Sequence, residues 1–183
     1  MNAAATTCPL SRDQIATRIA EVSLLRGTFT LRSGRTSTYY LDKYLFSTQP
    51  DVLEGLGRLF VAKLPAGTTR LAGAELGGIP LVSAASMASG LPCVFIRNQK
   101  KDYGTAKQLE GKIAAGDRVV IVEDVATTGG QALEAAKVLQ GEGAIVTTII
   151  CTIDRQEGAR ENIEAAGIAF ESLFTVRDLG VVG

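Results

Sequence analysis

The run VVIVEDVATTGGQAL at residues 119–133 constrains the fold of this chain more than any other segment. Its β-branched apolar residues predict a strand that is buried on both faces, as the strands of a parallel sheet are. The strand leads into two adjacent acids, Glu123 and Asp124, then into a Thr-Thr-Gly-Gly turn and a helix-forming run. Ligands bind at the carboxyl ends of the strands in open α/β sheets. We therefore expect both acids at a ligand-binding edge.

The turn at residues 127–130 predicts an anion site. Backbone N–H groups with no side chain in the way, two threonine hydroxyls and the positive end of a helix dipole converge on one phosphate-sized point. The glycine-first loops Gly-x-x-x-x-Gly-Lys-Ser/Thr and Gly-x-Gly-x-x-Gly lack an acidic pair, and neither pattern occurs here. Acids suited to sugar hydroxyls therefore stand beside donors suited to a phosphate.

Composition excludes several classes of chemistry. The chain has 183 residues, of which 46% are hydrophobic, and this predicts a single domain with a large core. It has no histidine, which excludes Ser-His-Asp and Cys-His nucleophilic machinery and the usual zinc and iron ligand sets. A metal, if used, should be a hard cation such as Mg²⁺ bridged by substrate phosphates.

Charge and hydropathy exclude other partners and compartments. The net charge is zero, so no basic field favours nucleic acid or a membrane surface. Cys8, Cys93 and Cys151 are odd in number and far apart, which argues against a disulfide framework. The chain has no apolar stretch of eighteen residues and no signal-peptide pattern, so we expect a cytoplasmic protein.

The remaining patterns predict strands that alternate with helices. Ser11 with Gln14 predicts a capping box that opens a helix to about Leu25, and the alternation over 27–42 around Ser33-Gly34 predicts a β-hairpin. Further helices are predicted over 50–63, 80–89, 131–140 and 157–167, and further strands over 70–73, 93–96, 145–153 and 168–175. This order predicts an α/β fold with a mainly parallel sheet flanked by helices.

We expect one domain over residues 1–183. Residues 1–10 should be frayed, residues 11–45 should form a hood of helix and hairpin, and residues 46–175 should form the core. A polar, basic stretch at 97–117 is long for a structureless connection, and such loops are often lids or binding loops. Its position predicts a mobile clamp that closes over a leaving group. A solvated charged hairpin is the alternative.

The run at 119–133 resembles the phosphoribosyl diphosphate (PRPP) motif of type I phosphoribosyltransferases. In that family the acids hold the ribose 2′ and 3′ hydroxyls, and the turn holds the 5′-phosphate. The segments LRSGRTSTYYLD, RNQKKDYG and DRQEG are similar to the matching parts of orotate phosphoribosyltransferases, in the same order. The resemblance spans nearly the whole chain. It implies a type I phosphoribosyltransferase fold and transfer of ribose 5-phosphate from PRPP to orotate, in pyrimidine biosynthesis.

The resemblance also implies roles for individual residues. Orotate would contact Arg32, Thr127 and Arg155, and an arginine fork suits a planar carboxylate. Lys101 and Asp124 would be catalytic, with Mg²⁺ carried by PRPP and reached by Asp124 only through water. The family implies a homodimer in which the basic loop reaches the neighbouring active site. PRPP would be bound by Arg97, Lys100, Lys101, Tyr103, Glu123, Asp124, Val125, Ala126, Thr127, Thr128, Gly129, Gly130 and Gln131.

The chain departs from the family pattern at several of these positions. Many members have lysine and histidine where this chain has Asn98 and Tyr103, lysine where it has Arg32, and a Tyr-Lys pair where it has Leu76-Gly77. Backbone N–H groups near Gly77 are candidates to bind diphosphate instead. Two alternatives stay open: a purine phosphoribosyltransferase of the same fold and a non-enzymatic PRPP-sensing regulator.

Overall fold

The computed structural model describes residues 9–30, 36–98 and 108–181. The N-terminal part of the chain contains helix α1 (Arg12–Ser23), strands β1 (Leu24–Thr30) and β2 (Thr36–Leu41), and helices α2 (Lys43–Ser47) and α3 (Pro50–Ala62). β1 and β2 pair antiparallel, which confirms the predicted hairpin. The predictions for residues 1–8 and for the Ser33-Gly34 turn lie outside the described residues.

The rest of the chain alternates between strands and helices. Its elements are β3 (Arg70–Ala74), α4 (Gly78–Ser89), β4 (Cys93–Ile96), β5 (Leu109–Glu110), β6 (Arg118–Ala126), α5 (Gly130–Gly141), β7 (Ile145–Asp154), α6 (Ala159–Ala165), β8 (Ala169–Thr175) and a 3₁₀ helix (Val176–Leu179). The strands form one sheet in the order β5-β4-β3-β6-β7-β8. Every neighbouring pair is parallel except β4–β5, so the expected mainly parallel sheet is confirmed.

Hydrophobic side chains pack on both faces of this sheet. Val120 and Val122 of β6 belong to the cluster that includes α1 to α4, whereas Val119 and Ile121 belong to the cluster that includes α5 and α6. The alternation follows from strand geometry, in which successive side chains point to opposite faces. Because all of these side chains are fully buried, the register of β6 is fixed at the centre of the sheet.

Some boundaries differ from the predictions. α1 ends at Ser23, because Leu24 and Leu25 pair with Leu41 and Tyr40 in the hairpin. α4 begins before Pro80, at Gly78, since the first turn of a helix tolerates a residue without an N–H group. Within the described residues, no helix has the length and apolar character needed to cross a membrane.

The basic stretch at 97–117 contains a short strand, β5, which the sequence patterns do not predict. β5 pairs antiparallel with β4, and the N–H of Arg97 donates to the carbonyl of Gln108 at 2.8 Å. Antiparallel β4 and β5 are therefore neighbours at the edge of the sheet. Residues 99–107 lie outside the described residues, so the clamp remains a prediction.

Candidate active site

The acids of the central strand are buried, which is uncommon for such side chains unless they are paired. Glu123 is 4% exposed and Asp124 is 1% exposed, near the carboxyl end of β6. The alternation along the strand puts Asp124 on the same face as Val122 and Glu123 on the same face as Ile121. The two acids therefore meet different neighbours, although the charge of Asp124 still acts on Glu123.

Asp124 is surrounded by donors and by a glycine. Its Oδ1 accepts from the backbone N–H of Val125 at 2.5 Å, and its Oδ2 lies 2.9 Å from the ammonium of Lys43. A Cβ atom built on Gly77 would lie 1.6 Å from Oδ2, so only a glycine fits there. Burial opposes the charge on Lys43, but attraction to Asp124 outweighs it and raises the pKa of the lysine. The geometry thus pairs the buried carboxyl of Asp124 with the ammonium of Lys43.

Glu123 has a different protonation state from an exposed glutamate. Burial, followed by the nearby charge of Asp124, raises its pKa from the ordinary value of 4.5 to about 8. Its Oε1 accepts from the N–H of Asp124 at 3.0 Å, and its Oε2 has no hydrogen-bond partner among the described residues. A neutral carboxyl at this position can both donate and accept a hydrogen bond, which suits a pair of sugar hydroxyls.

We expect Glu123→Gln to change how stability depends on pH. The folded carboxyl keeps its proton up to about pH 8, whereas an unfolded glutamate loses it near pH 4.5, so the folded state binds more protons between these values. Stability of the wild type should therefore fall as pH rises through this window, and the glutamine variant should lack that fall. Melting temperatures at pH 5.5 and pH 9 test this. Between these two pH values, the free energy of unfolding of the variant relative to the wild type should rise by about 1 kcal/mol or more, which corresponds to roughly 2–4 °C in melting temperature. A difference that is constant with pH would contradict the assigned protonation state.

The turn after β6 forms a small cavity. Glu123 and residues 125–132 line a space of about 90 Å³. Gly129 adopts a φ of +78°, and a Cβ on it would lie 2.8 Å from Ile163 Cδ1, so the position requires glycine for two reasons. The side chain of Asn162 donates to the carbonyl of Thr128 at 2.9 Å, which ties the turn to α6. The cavity and the start of α5 lie where the sequence predicts an anion site, which stays a prediction.

Arg155 lies next to this turn. Ala126 pairs with Asp154 across β6 and β7, and the N–H of Arg155 donates to the carbonyl of Ala126 at 2.9 Å. Its guanidinium lies 2.9 Å from Glu157 Oε1, 3.4 Å from the hydroxyl of Tyr39 and 5.7 Å from the centre of that ring. Arg155 and Thr127 therefore follow neighbouring strand ends, as expected of residues that share a ligand.

Arg97 occupies a different part of the sheet edge. It follows β4, which is separated from β6 by β3, and its guanidinium lies 3.8 Å from Glu110 on β5. Arg97 thus contacts the edge strand. Within the described residues, no contact joins it to Glu123 or Asp124. Arg32, Lys100, Lys101 and Tyr103 lie outside the described residues, so their assigned roles stay predictions.

Glu75 links the loops at this edge. Its Oε1 accepts from the N–H of Asn98 at 2.7 Å, and its carbonyl accepts from the side chain of Gln131 at 3.2 Å. Gln131 therefore connects the predicted phosphate turn to the turn between β3 and α4. These bonds hold three loops together around the acid pair.

Sequence reasoning missed Lys43 and Tyr39 as site residues. Both follow the hairpin turn, in the segment TYYLDKY, and neither stands near the acids or Arg155 in sequence. A weak signal was present, because Asp42 before Lys43 is a typical helix N-cap, and its side chain accepts from the N–H of Tyr44 at 3.1 Å. A cap predicts where a helix begins, but it does not predict which strand end the helix meets.

Comparisons with known proteins agree with this geometry. Residues 63–172 match the family model described as the phosphoribosyl transferase domain. The orotate phosphoribosyltransferase of Methanocella arvoryzae is 47% identical over 153 residues, which is 84% of this chain and 87% of that relative. A crystal structure of the Mycobacterium tuberculosis orotate phosphoribosyltransferase superposes with a TM-score of 0.83 at 32% identity, covering 93% of this chain and 99% of that one. A structure of the same enzyme in complex with PRPP gives a TM-score of 0.79, with the same identity and coverage.

Proposed function

The chain belongs to the orotate phosphoribosyltransferase family, and on that premise we propose that its acid pair and turn bind PRPP while Arg155 binds orotate. The enzyme transfers ribose 5-phosphate from PRPP to N1 of orotate, which gives orotidine 5′-monophosphate and diphosphate. This is a step of pyrimidine biosynthesis.

The observation that carries this assignment of the site is the adjacency of two strand ends. The hydrogen bond from Arg155 to Ala126 brings the arginine beside the start of the turn at 127–130. A guanidinium fork can form two parallel hydrogen bonds with the carboxylate of orotate. With the 5′-phosphate of PRPP in the turn, the two substrates would then lie side by side, with the ribose over Glu123 and Asp124.

The protein can favour this reaction through position and charge. When the bond from C1 to diphosphate breaks, positive charge develops on the ribose ring and negative charge on the leaving group. Asp124 would stabilise the charge on the ring, and Glu123, kept neutral by burial, would hold a ribose hydroxyl without adding repulsion. Orotate has to be oriented so that N1 attacks C1, and the proton of N1 would pass to the departing diphosphate, whose oxygens are basic. The bond therefore forms with inversion and without a covalent intermediate on the protein.

Mg²⁺ fits this site as a partner of PRPP rather than of the protein. Among the described residues, no three acidic or cysteine side chains form a cluster that could hold a metal ion. Asp124 already has a hydrogen-bond donor on Oδ1 and an ion-pair contact with Lys43 at Oδ2, which leaves it suited to contact through a water molecule. Bound to the diphosphate, Mg²⁺ would neutralise the leaving group.

A homodimer is also part of this proposal. Between α3 and α4 an apolar cavity of about 600 Å³ is open at the surface, and its lining includes Leu53, Pro80, Ala84 and Met87. Met87 is 87% exposed, and an exposed apolar patch of this kind is typical of an interface. A second copy on this face would pack against α4, the helix that begins directly after Gly77.

An assay with alternative bases tests the function. The purified protein is incubated with PRPP, Mg²⁺ and orotate, adenine, hypoxanthine or uracil in separate reactions, and diphosphate release is measured. Only orotate should be consumed. If only a purine is consumed, the protein is a purine phosphoribosyltransferase instead. If PRPP raises the melting temperature of the protein but no base is consumed, a PRPP-sensing regulator is favoured.

Arg155→Ala should weaken the use of orotate far more than the use of PRPP. The variant lacks the fork that holds the orotate carboxylate, so the KM for orotate should rise by about tenfold to a hundredfold while that for PRPP changes less than about threefold. Steady-state kinetics with each substrate varied in turn measure both constants. Arg160→Ala, which removes an exposed arginine paired with Glu164, is the control. Equal rises of the two constants would contradict the assigned role.

Mixing inactive variants tests whether the basic loop serves a neighbouring subunit. Lys101→Ala and Asp124→Asn should each be nearly inactive alone. If the lysine acts across a dimer, a mixed dimer contains one intact site, and the mixture should regain up to roughly a quarter of wild-type activity through random exchange. Failure to regain activity, in a mixture shown to have exchanged subunits, would count against a shared site.

A further inference from the structure

Lys43 occupies a fixed position at the edge of the candidate active site. It is the first residue of α2, and the N–H of Asp42 before it donates to the carbonyl of Ser23 at 2.9 Å. Its ammonium lies 2.9 Å from Asp124 Oδ2, while its side chain is 33% exposed. Part of the Lys43 side chain therefore reaches solvent while its ammonium contacts Asp124.

The oxygen that Lys43 contacts also borders the turn between β3 and α4. A Cβ on Gly77 would lie 1.6 Å from the same Oδ2, so position 77 cannot carry a side chain of any charge. The turn thus brings no cation of its own to this place. Lys43, the first residue of α2 after the hairpin, supplies a cation from the opposite side.

The negative charge of bound PRPP should attract the ammonium of Lys43. PRPP carries a diphosphate with several negative charges beside the ribose, whereas Asp124 carries one. A lysine ammonium is a compact charge with three donors on a flexible stem, so it can follow the larger charge. Removing it from Asp124 would also leave that carboxylate free for the ribose hydroxyls.

We propose that Lys43 is a binding residue for the diphosphate group of PRPP. Its ammonium pairs with Asp124 while the site is empty and moves to the diphosphate when PRPP binds. This inference rests on the proposed binding of PRPP at the acid pair. It adds a ligand for the leaving group that comes from the N-terminal hairpin segment rather than from the basic loop or the strand ends.

Ligand affinities separate this role from a purely structural one. PRPP, inorganic diphosphate and ribose 5-phosphate are titrated calorimetrically into the wild type, Lys43→Met and Lys43→Arg, each with Mg²⁺ present. Lys43→Met should weaken the affinity for PRPP and for diphosphate by about tenfold or more, because a charged hydrogen bond is lost. The affinity for ribose 5-phosphate should change by less than about threefold. Lys43→Arg should restore most of the affinity for diphosphate. Lys137→Met, at an exposed lysine paired with Glu134, is the matched control and should change nothing.

The outcomes that reject the inference are distinct. If Lys43→Met binds diphosphate as well as the wild type does, or loses as much affinity for ribose 5-phosphate as for PRPP, Lys43 serves only to hold Asp124. If the wild type itself fails to bind PRPP, the proposed function is rejected instead. Should Lys43→Met not fold, Lys43→Gln, which keeps a donor without the charge, is judged by the same thresholds.

Discussion

Replacing Asp124 by asparagine should lower kcat/KM for PRPP by about a thousandfold. Asparagine keeps the shape of the side chain but removes the negative charge that would oppose the charge developing at C1. It also leaves the ammonium of Lys43, now 2.9 Å from Asp124 Oδ2, without its partner at the reaction centre. Steady-state kinetics at saturating orotate measure the effect.

The control for this variant is a surface aspartate. Asp13→Asn changes a side chain that is 94% exposed, and it should leave kcat/KM within about twofold of the wild type. Far-ultraviolet circular dichroism checks that the Asp124 variant is folded. A folded Asp124→Asn enzyme with activity within tenfold of the wild type would show that the charge of this acid is not needed for transfer.

Gly77→Ala should reduce kcat/KM by about a hundredfold or more and lower stability by about 1–3 kcal/mol. The new methyl carbon would lie 1.6 Å from Asp124 Oδ2 and 2.6 Å from its Cγ, so either the carboxylate or the turn must move. Asp124 is fully buried in the central strand, and a Cβ on the next glycine, Gly78, would lie 3.0 Å from the carbonyl of Val122, so the turn has little room to shift. Neither the carboxylate of Asp124 nor the turn can move without disturbing the site.

Gly141→Ala is the matched control for this substitution. A Cβ on Gly141, in the last turn of α5, meets nothing within 4 Å. This variant should be as active as the wild type and slightly more stable, because alanine favours a helix over glycine. Kinetics and thermal melting of the two alanine variants, measured side by side, give the comparison. Equal behaviour of the two would mean that the site tolerates a side chain at position 77.

Local patterns predicted most of the elements that position the site. The capping box at Ser11 and Gln14 is present, with both reciprocal hydrogen bonds. The buried strand at the acid pair, the glycine turn and the helix after it appear where the run predicts them, since each depends on residues close together in sequence. The strand that precedes Arg155 was predicted for the same reason.

Contacts between distant segments were not predicted. The short helix α2 and the edge strand β5 have no strong pattern of their own, and both exist because a neighbouring element pairs with them or packs on them. The contact of Lys43 with Asp124 depends on how the hairpin segment folds over the sheet. The glycine at position 77 was taken as a possible source of backbone donors, whereas the structure shows that it is also the only residue that fits against the acid.

The amino-acid sequence by itself determined that this chain forms a mainly parallel α/β sheet and that an acid pair and a glycine turn lie near the end of one central strand. Those features follow from the period of apolar residues and from turn chemistry, which act over a few residues. Only the tertiary structure decided the electrostatic state of the pair. Burial raises the pKa of Glu123, and the ammonium of Lys43 lies 2.9 Å from Asp124 Oδ2; both features depend on which segments meet at the sheet edge.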